Sequence, residues 1–161
     1  MEALLGFAPL LLALAAVAGL IGAARCFSQP VKPPYEVKPA LLNEPLHTLL
    51  HALHEAAAGR WLIFPQIKLA DLIQVKEKAD DKAYWQERIS GHRFDFVLFD
   101  PHSLAPRLAI DLDTSGVEPP PPLDPSLERC LQAAGLPHWR VAAGEDYDVR
   151  EMTRALQKSL G

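Results

Sequence analysis

Residues 94–113 read FDFVLFDPHSLAPRLAIDLD, two apolar runs joined by a turn that contains proline. Runs of this length and β-branched or aromatic content predict strands over Phe94 to Phe99 and Leu108 to Asp113. Being apolar on both faces, they belong inside a sheet rather than at its rim. Three carboxylates interrupt them. Successive side chains alternate across a strand, so Asp111 and Asp113 project from one face with Leu112 opposite, and Asp95 opens the neighbouring strand. If the three converge, their charges repel unless a cation compensates them. Oxygen ligands of this kind suit Mg²⁺ or Mn²⁺. The other reading is that each lies at a strand end facing water, with Asp113 opening the turn Asp113-Thr114-Ser115-Gly116.

The flanking sequence supplies the partners of this hairpin. Asn43 reads as the cap of a helix whose apolar stripe, Leu46, Leu49, Leu50 and Leu53, runs out at Ala58 and Gly59. Trp61 to Ile73 reads as a strand followed by a short helix or turn. The charged run Lys76 to Ile89 is a solvated loop with a helical piece over Tyr84 to Ile89. After a loop with four consecutive prolines, Pro119 to Pro122, a helix is expected over Ser126 to Ala134, stopped by Gly135. A short strand over His138 to Ala142 and a final helix over Tyr147 to Leu160 follow. The order predicts an α/β fold: a mixed central sheet with helices on both faces.

The N-terminus differs in kind. Leu4 to Ala24 pass without a charge, enough helix to cover roughly 30 Å of hydrocarbon. A cleaved signal peptide fits less well, because Met1-Glu2-Ala3 puts an acid where a positive region belongs. Arg25, Lys32 and Lys38 follow the apolar run, so the positive-inside rule predicts a single-pass anchor in the inner membrane, N-terminus out and C-terminal domain in the cytoplasm. The organisation expected is an anchor over residues 1–26, a proline-rich linker over 27–40 and one domain over 41–161. The two cysteines, Cys26 and Cys130, are too few for a disulfide or metal framework and suit a reducing compartment.

Among 161 residues, 16 Lys and Arg stand against 20 Asp and Glu, and the positive charges do not form a stripe. That charge balance argues against an extended nucleic-acid footprint. His47, His51 and His54 fall at i, i+4 and i+7 on one helix face, a spacing open to metal ligation but equally to a solvated face. Trp61, Trp85 and Trp139 are candidates for base stacking or for core packing.

The segments WLIFPQIKLADLI (61–73), RISGHRFDFVLFDPHSLAPRLAIDLD (88–113) and LQAAGLPHWRV (131–141) resemble the bacterial domain-of-unknown-function family 2726, which is grouped with the restriction-endonuclease-like PD-(D/E)XK superfamily. The resemblance runs from about Leu41 to Val141. It implies an α-β-β-β-α-β core, often behind an N-terminal membrane helix. In active relatives an Asp on the second core strand and a D/E-x-K on the third bind Mg²⁺ for phosphodiester hydrolysis. Asp95 takes the first position and Asp111 the second, while Asp113 stands where the Lys would be, placing a negative charge opposite a polyanion. His92 stands where a Lys is frequent, Lys68 or Arg93 could replace the missing Lys, and the basic run expected after the third strand gives way to prolines. The resemblance therefore implies a catalytically degenerate domain acting as a binding or scaffold module. The alternative is a Mg²⁺- or Mn²⁺-dependent nuclease using Asp95, Asp111 and Asp113 as ligands.

Overall fold

The computed structural model describes residues 8–27, 33–117 and 119–160, and the chain divides into two compact units between Pro39 and Ala40. In the first unit, Ala8–Phe27 form helix α1. Its described side chains, residues 9–23, are all exposed. They would rise only about 22 Å, and among the described residues no helix is long and apolar enough to cross a membrane. The predicted span from Leu4 starts at residues that lie outside the described ones, as do residues 28–32 of the predicted linker and the Cys26 side chain. Residues 33–39 carry neither helix nor strand.

In the second unit, Glu44–Ala57 form α2. Asn43 Oδ1 accepts the Leu46 N–H at 3.2 Å, and Ala58, in the left-handed region, closes the helix. The chain then forms β1 (Leu62–Lys68), the short helix α3 (Leu69–Leu72), α4 (Lys82–Ser90), β2 (Arg93–Phe99) and β3 (Pro106–Asp113). It finishes with α5 (Pro125–Ala134), β4 (His138–Ala142) and α6 (Val149–Leu160). Two helix starts differ from the sequence reading. Helix α4 begins two residues early because the Asp81 carboxylate caps it through the Tyr84 N–H. Helix α6 begins two residues late, because the Asp148 carboxylate takes the Arg150 N–H while the Tyr147 hydroxyl bonds back to Ala142 and Gly144.

The four strands lie in the order β1-β2-β3-β4. The first three are antiparallel, with Phe96 opposite Ile110 and Leu98 opposite Leu108, and β4 runs parallel to β3 with Leu112 opposite Val141. The mixed sheet and its helices on both faces match the expectation. Asp100 fixes the β2–β3 turn, one oxygen accepting the His102 and Ser103 N–H groups and the Ser103 hydroxyl. On one face Phe96, Leu98, Leu108, Ile110 and Val141 pack with Leu49 and Leu53 of α2 and Met152 and Leu156 of α6. On the other, Phe94, Val97 and Ala109 pack with Leu69, Ile89, Leu131 and Leu136.

These clusters reveal a break in the pleat. Phe94 and Phe96, two residues apart on one strand, should share a face, yet they belong to opposite clusters, as do Ile67 and Ile63 on β1. Both switches straddle one place, where Gln66 adopts φ +59° beside Asp95.

Candidate functional site: a carboxylate and histidine centre

The break in the sheet is where two of the predicted carboxylates, Asp95 and Asp111, lie. The register that pairs Phe96 with Ile110 sets Asp95 against Asp111, and the two strands bond there through side chains. The Asp95 N–H donates to Asp111 Oδ1 at 3.4 Å, and the Leu112 N–H donates to Asp95 Oδ2 at 2.9 Å. Gln66, turned inward by its left-handed backbone, donates from Nε2 to Asp95 Oδ1 at 3.1 Å. A carboxylate next to a kink can take backbone N–H groups that the ladder has left over, which satisfies donors that would otherwise be costly to bury.

Asp111 also receives two imidazoles. His138, at the start of β4, places Nε2 at 3.0 Å from Asp111 Oδ2. His92, just before β2, brings its Nε2 to 3.5 Å from the same oxygen and has no other partner there. Both rings lean on Phe94, with centroids 4.6 and 5.7 Å away. Burial alone would push the Asp111 carboxyl up. The hydrogen bond from His138, then His92 and the charge on both rings, outweigh it and hold the group at about 2 instead of 3.8.

Asp113 is separate in its partners. It is 6% exposed, with Oδ1 at 3.4 Å from Arg140 Nη2 and Oδ2 accepting the Ser115 hydroxyl at 2.7 Å. Arg140 in turn donates to the Pro121 carbonyl at 2.7 Å, tying the proline loop to β4. Asp95 and Asp111 are thus brought together, and Asp113 keeps its own ion pair. Lys68 and Arg93 face each other in the β1–β2 register, exposed at the end of that ladder. Glu44 and His54 are exposed on α2, and His47 and His51 stack edge to face with centroids 4.6 Å apart. Among the described residues, no group of three or more His, Cys, Asp or Glu side chains is placed to hold a metal ion. Trp61 and Trp139 pack against the core, while Trp85 is 44% exposed.

Sequence reasoning did not pick out Gln66 or His138. Pro65-Gln66 inside an apolar strand was the only local sign of the kink. Nothing local links His138 to a residue 27 positions earlier.

A mixed four-stranded α/β domain with paired aspartates crossing its inner strands is the class these observations define. The family model described as "Protein of unknown function (DUF2726)" matches residues 38–160, and the chain belongs to that family. No curated protein and no solved structure matches the chain.

Proposed function

We propose that this protein is a membrane-tethered domain of restriction-endonuclease-like type whose carboxylate centre maintains the sheet instead of cutting phosphodiesters, and that it acts as a binding or scaffold module at the cytoplasmic face of the inner membrane. One observation carries this reading: every oxygen of Asp95, Asp111 and Asp113 already has a protein donor. Gln66 and Leu112 serve Asp95, Asp95 N–H and His138 serve Asp111, and Arg140 and Ser115 serve Asp113. Asp111 Oδ2 is shared by two imidazoles and Asp113 is held in an ion pair by Arg140, and among the described residues no group of three or more His, Cys, Asp or Glu side chains is placed to hold a metal ion, so no hydrolytic step is assigned to the centre. At the superfamily's Lys position stands Asp113, buried and paired with Arg140, so the cation beside it is already engaged by a carboxylate. The endonuclease-like assignment itself rests on the helix-β1-β2-β3-helix-β4 order with β4 parallel to β3, and a shared fold does not carry its usual chemistry with it.

Support for the tether comes from α1. Leu10, Leu12, Leu14 and Leu20 are 63–72% exposed, and a helix that is apolar on all sides, as residues 9–23 are, calls for a nonpolar environment. Arg25, Lys32 and Lys38 follow it in sequence, which by the positive-inside rule orients the domain to the cytoplasm. The test combines two measurements on the full chain: partition into carbonate-washed membranes, and hydrolysis of a DNA and RNA panel with Mg²⁺ or Mn²⁺ beside the Asp111→Asn variant. Membrane retention without hydrolysis above the variant is expected. Metal-dependent cleavage that disappears in Asp111→Asn would overturn the degenerate reading, and release by carbonate would overturn the tether.

A further inference from the structure

Helices α4 and α5 border an open groove of about 520 Å³ lined by Tyr84, Trp85, Arg88, Ser126 and Arg129. From its composition we infer that it is a binding site for a single nucleoside monophosphate unit, distinct from the carboxylate centre. The volume suits one nucleotide-sized ligand, since small-ligand pockets run from roughly 300 to 1,000 Å³.

The cationic half is supplied by two guanidiniums. Arg88 donates from Nη1 to the Tyr84 hydroxyl at 2.6 Å and from Nε to Ser126 Oγ at 3.1 Å, with Nη2 also on Ser126. It lies 5.2 Å from the Tyr84 ring centroid. These neutral partners hold the fork in place without neutralising it. Among the described residues neither Arg88 nor Arg129 has a carboxylate in ion-pair range. Asp124, at the entry to α5, accepts the Ser126 and Leu127 N–H groups as the helix cap. An oriented guanidinium with hydroxyls around it and a second arginine lining the same groove is the chemistry that recognises a phosphate monoester.

The aromatic half is Trp85. Its ring meets Tyr84 edge to face at 5.1 Å, leaving the indole 44% exposed, and it also lines an adjoining cavity walled by Ile73, Val75 and Ile89. A flat, partly exposed indole with apolar flanks stacks on a base irrespective of sequence. With 16 basic against 20 acidic residues the charge balance argues against a long polyanion, whereas two arginines match one phosphate. The site is independent of whether the carboxylate centre is active.

The full chain, kept in solution with a mild detergent, is titrated with AMP, adenosine and inorganic phosphate while tryptophan fluorescence is followed. Trp85→Phe assigns the signal. AMP is expected to bind at least about tenfold more tightly than adenosine or phosphate alone, because only it engages both halves. Arg88→Met and Arg129→Met should each weaken AMP about tenfold or more by isothermal calorimetry, with unchanged circular dichroism, while Asp111→Asn binds AMP as the native chain does. No AMP binding, equal binding of adenosine and AMP, or arginine variants that bind as the native chain does would overturn the assignment. So would binding of a phosphotyrosine peptide with none of AMP.

Discussion

His138 Nε2 lies 3.0 Å from Asp111 Oδ2, joining the first residue of β4 to the middle of the acidic strand β3. This contact crosses the only parallel strand pair in the described sheet, so it ties the last strand to the hairpin at the point where the pleat is interrupted. It also helps hold the Asp111 carboxyl below its ordinary value.

Asp111 has a folded-state pKa near 2 against 3.8 for the ordinary group. A lowered pKa contributes stability that is present above pH 3.8 and is lost as pH falls through about 2. Integrated over that shift the contribution is about 2 kcal/mol. Urea denaturation of native chain and Asp111→Asn at pH 6, 4 and 3 is expected to show a stability gap that narrows below pH 4. A gap that is constant over this window would refute the assignment.

Gln66 combines a left-handed backbone with a side-chain bond to Asp95. Gln66→Ala loses the bond and keeps the strain, so a loss of about 1–2 kcal/mol is expected. Gln66→Gly should recover up to about 1 kcal/mol of that, since glycine has no Cβ penalty at φ > 0. Gln66→Val should be the worst of the three. If Ala proves milder than Gly in chemical denaturation, the left-handed kink does not hold Asp95 as described.

Arg140 is the cation beside the buried Asp113. Arg140→Ala leaves a carboxylate with only Ser115 as partner and should cost about 3–5 kcal/mol. Asp113→Asn should cost less, because the charge it leaves unpaired, on Arg140, is 28% exposed and still donates to the Pro121 carbonyl. Asp113→Lys, which writes the superfamily's lysine into this position, sets a second cation against Arg140 and is expected to unfold the domain instead of conferring hydrolysis. Thermal melts and the nuclease panel decide this together.

Phe94 and Phe96 are fully buried in different clusters. Phe94→Leu and Phe96→Leu should each cost about 1–2 kcal/mol. Because they share no packing partners, the double variant should be additive within about 0.5 kcal/mol. A coupling above about 1 kcal/mol would mean that the two rings pack on one face after all.

Much of the fold was legible locally. Asn43 three residues before the N–H it caps, Gly135 at the left-handed end of α5, and the apolar runs of β2 and β3 are written in adjacent positions. Asp111 and Asp113 on alternating positions of β3 were likewise readable from period two. Their pairing with Asp95 and Arg140 depends on strand register, and register is set by how the two apolar faces pack rather than by either strand alone.

The apolar N-terminal helix, the order of helices and strands and the three carboxylates on two inner strands follow from adjacent residues, because propensity, capping and hydrophobic period act between near neighbours. Long-range packing makes Gln66 kink the sheet, sets the Asp95 and Leu112 N–H groups on the carboxylates of Asp111 and Asp95, brings His92 and His138 to one oxygen, and pairs Arg140 with Asp113. The reason is physical. A buried carboxylate accepts whichever donors the packed core brings within about 3 Å, and those donors come from residues far apart in the chain.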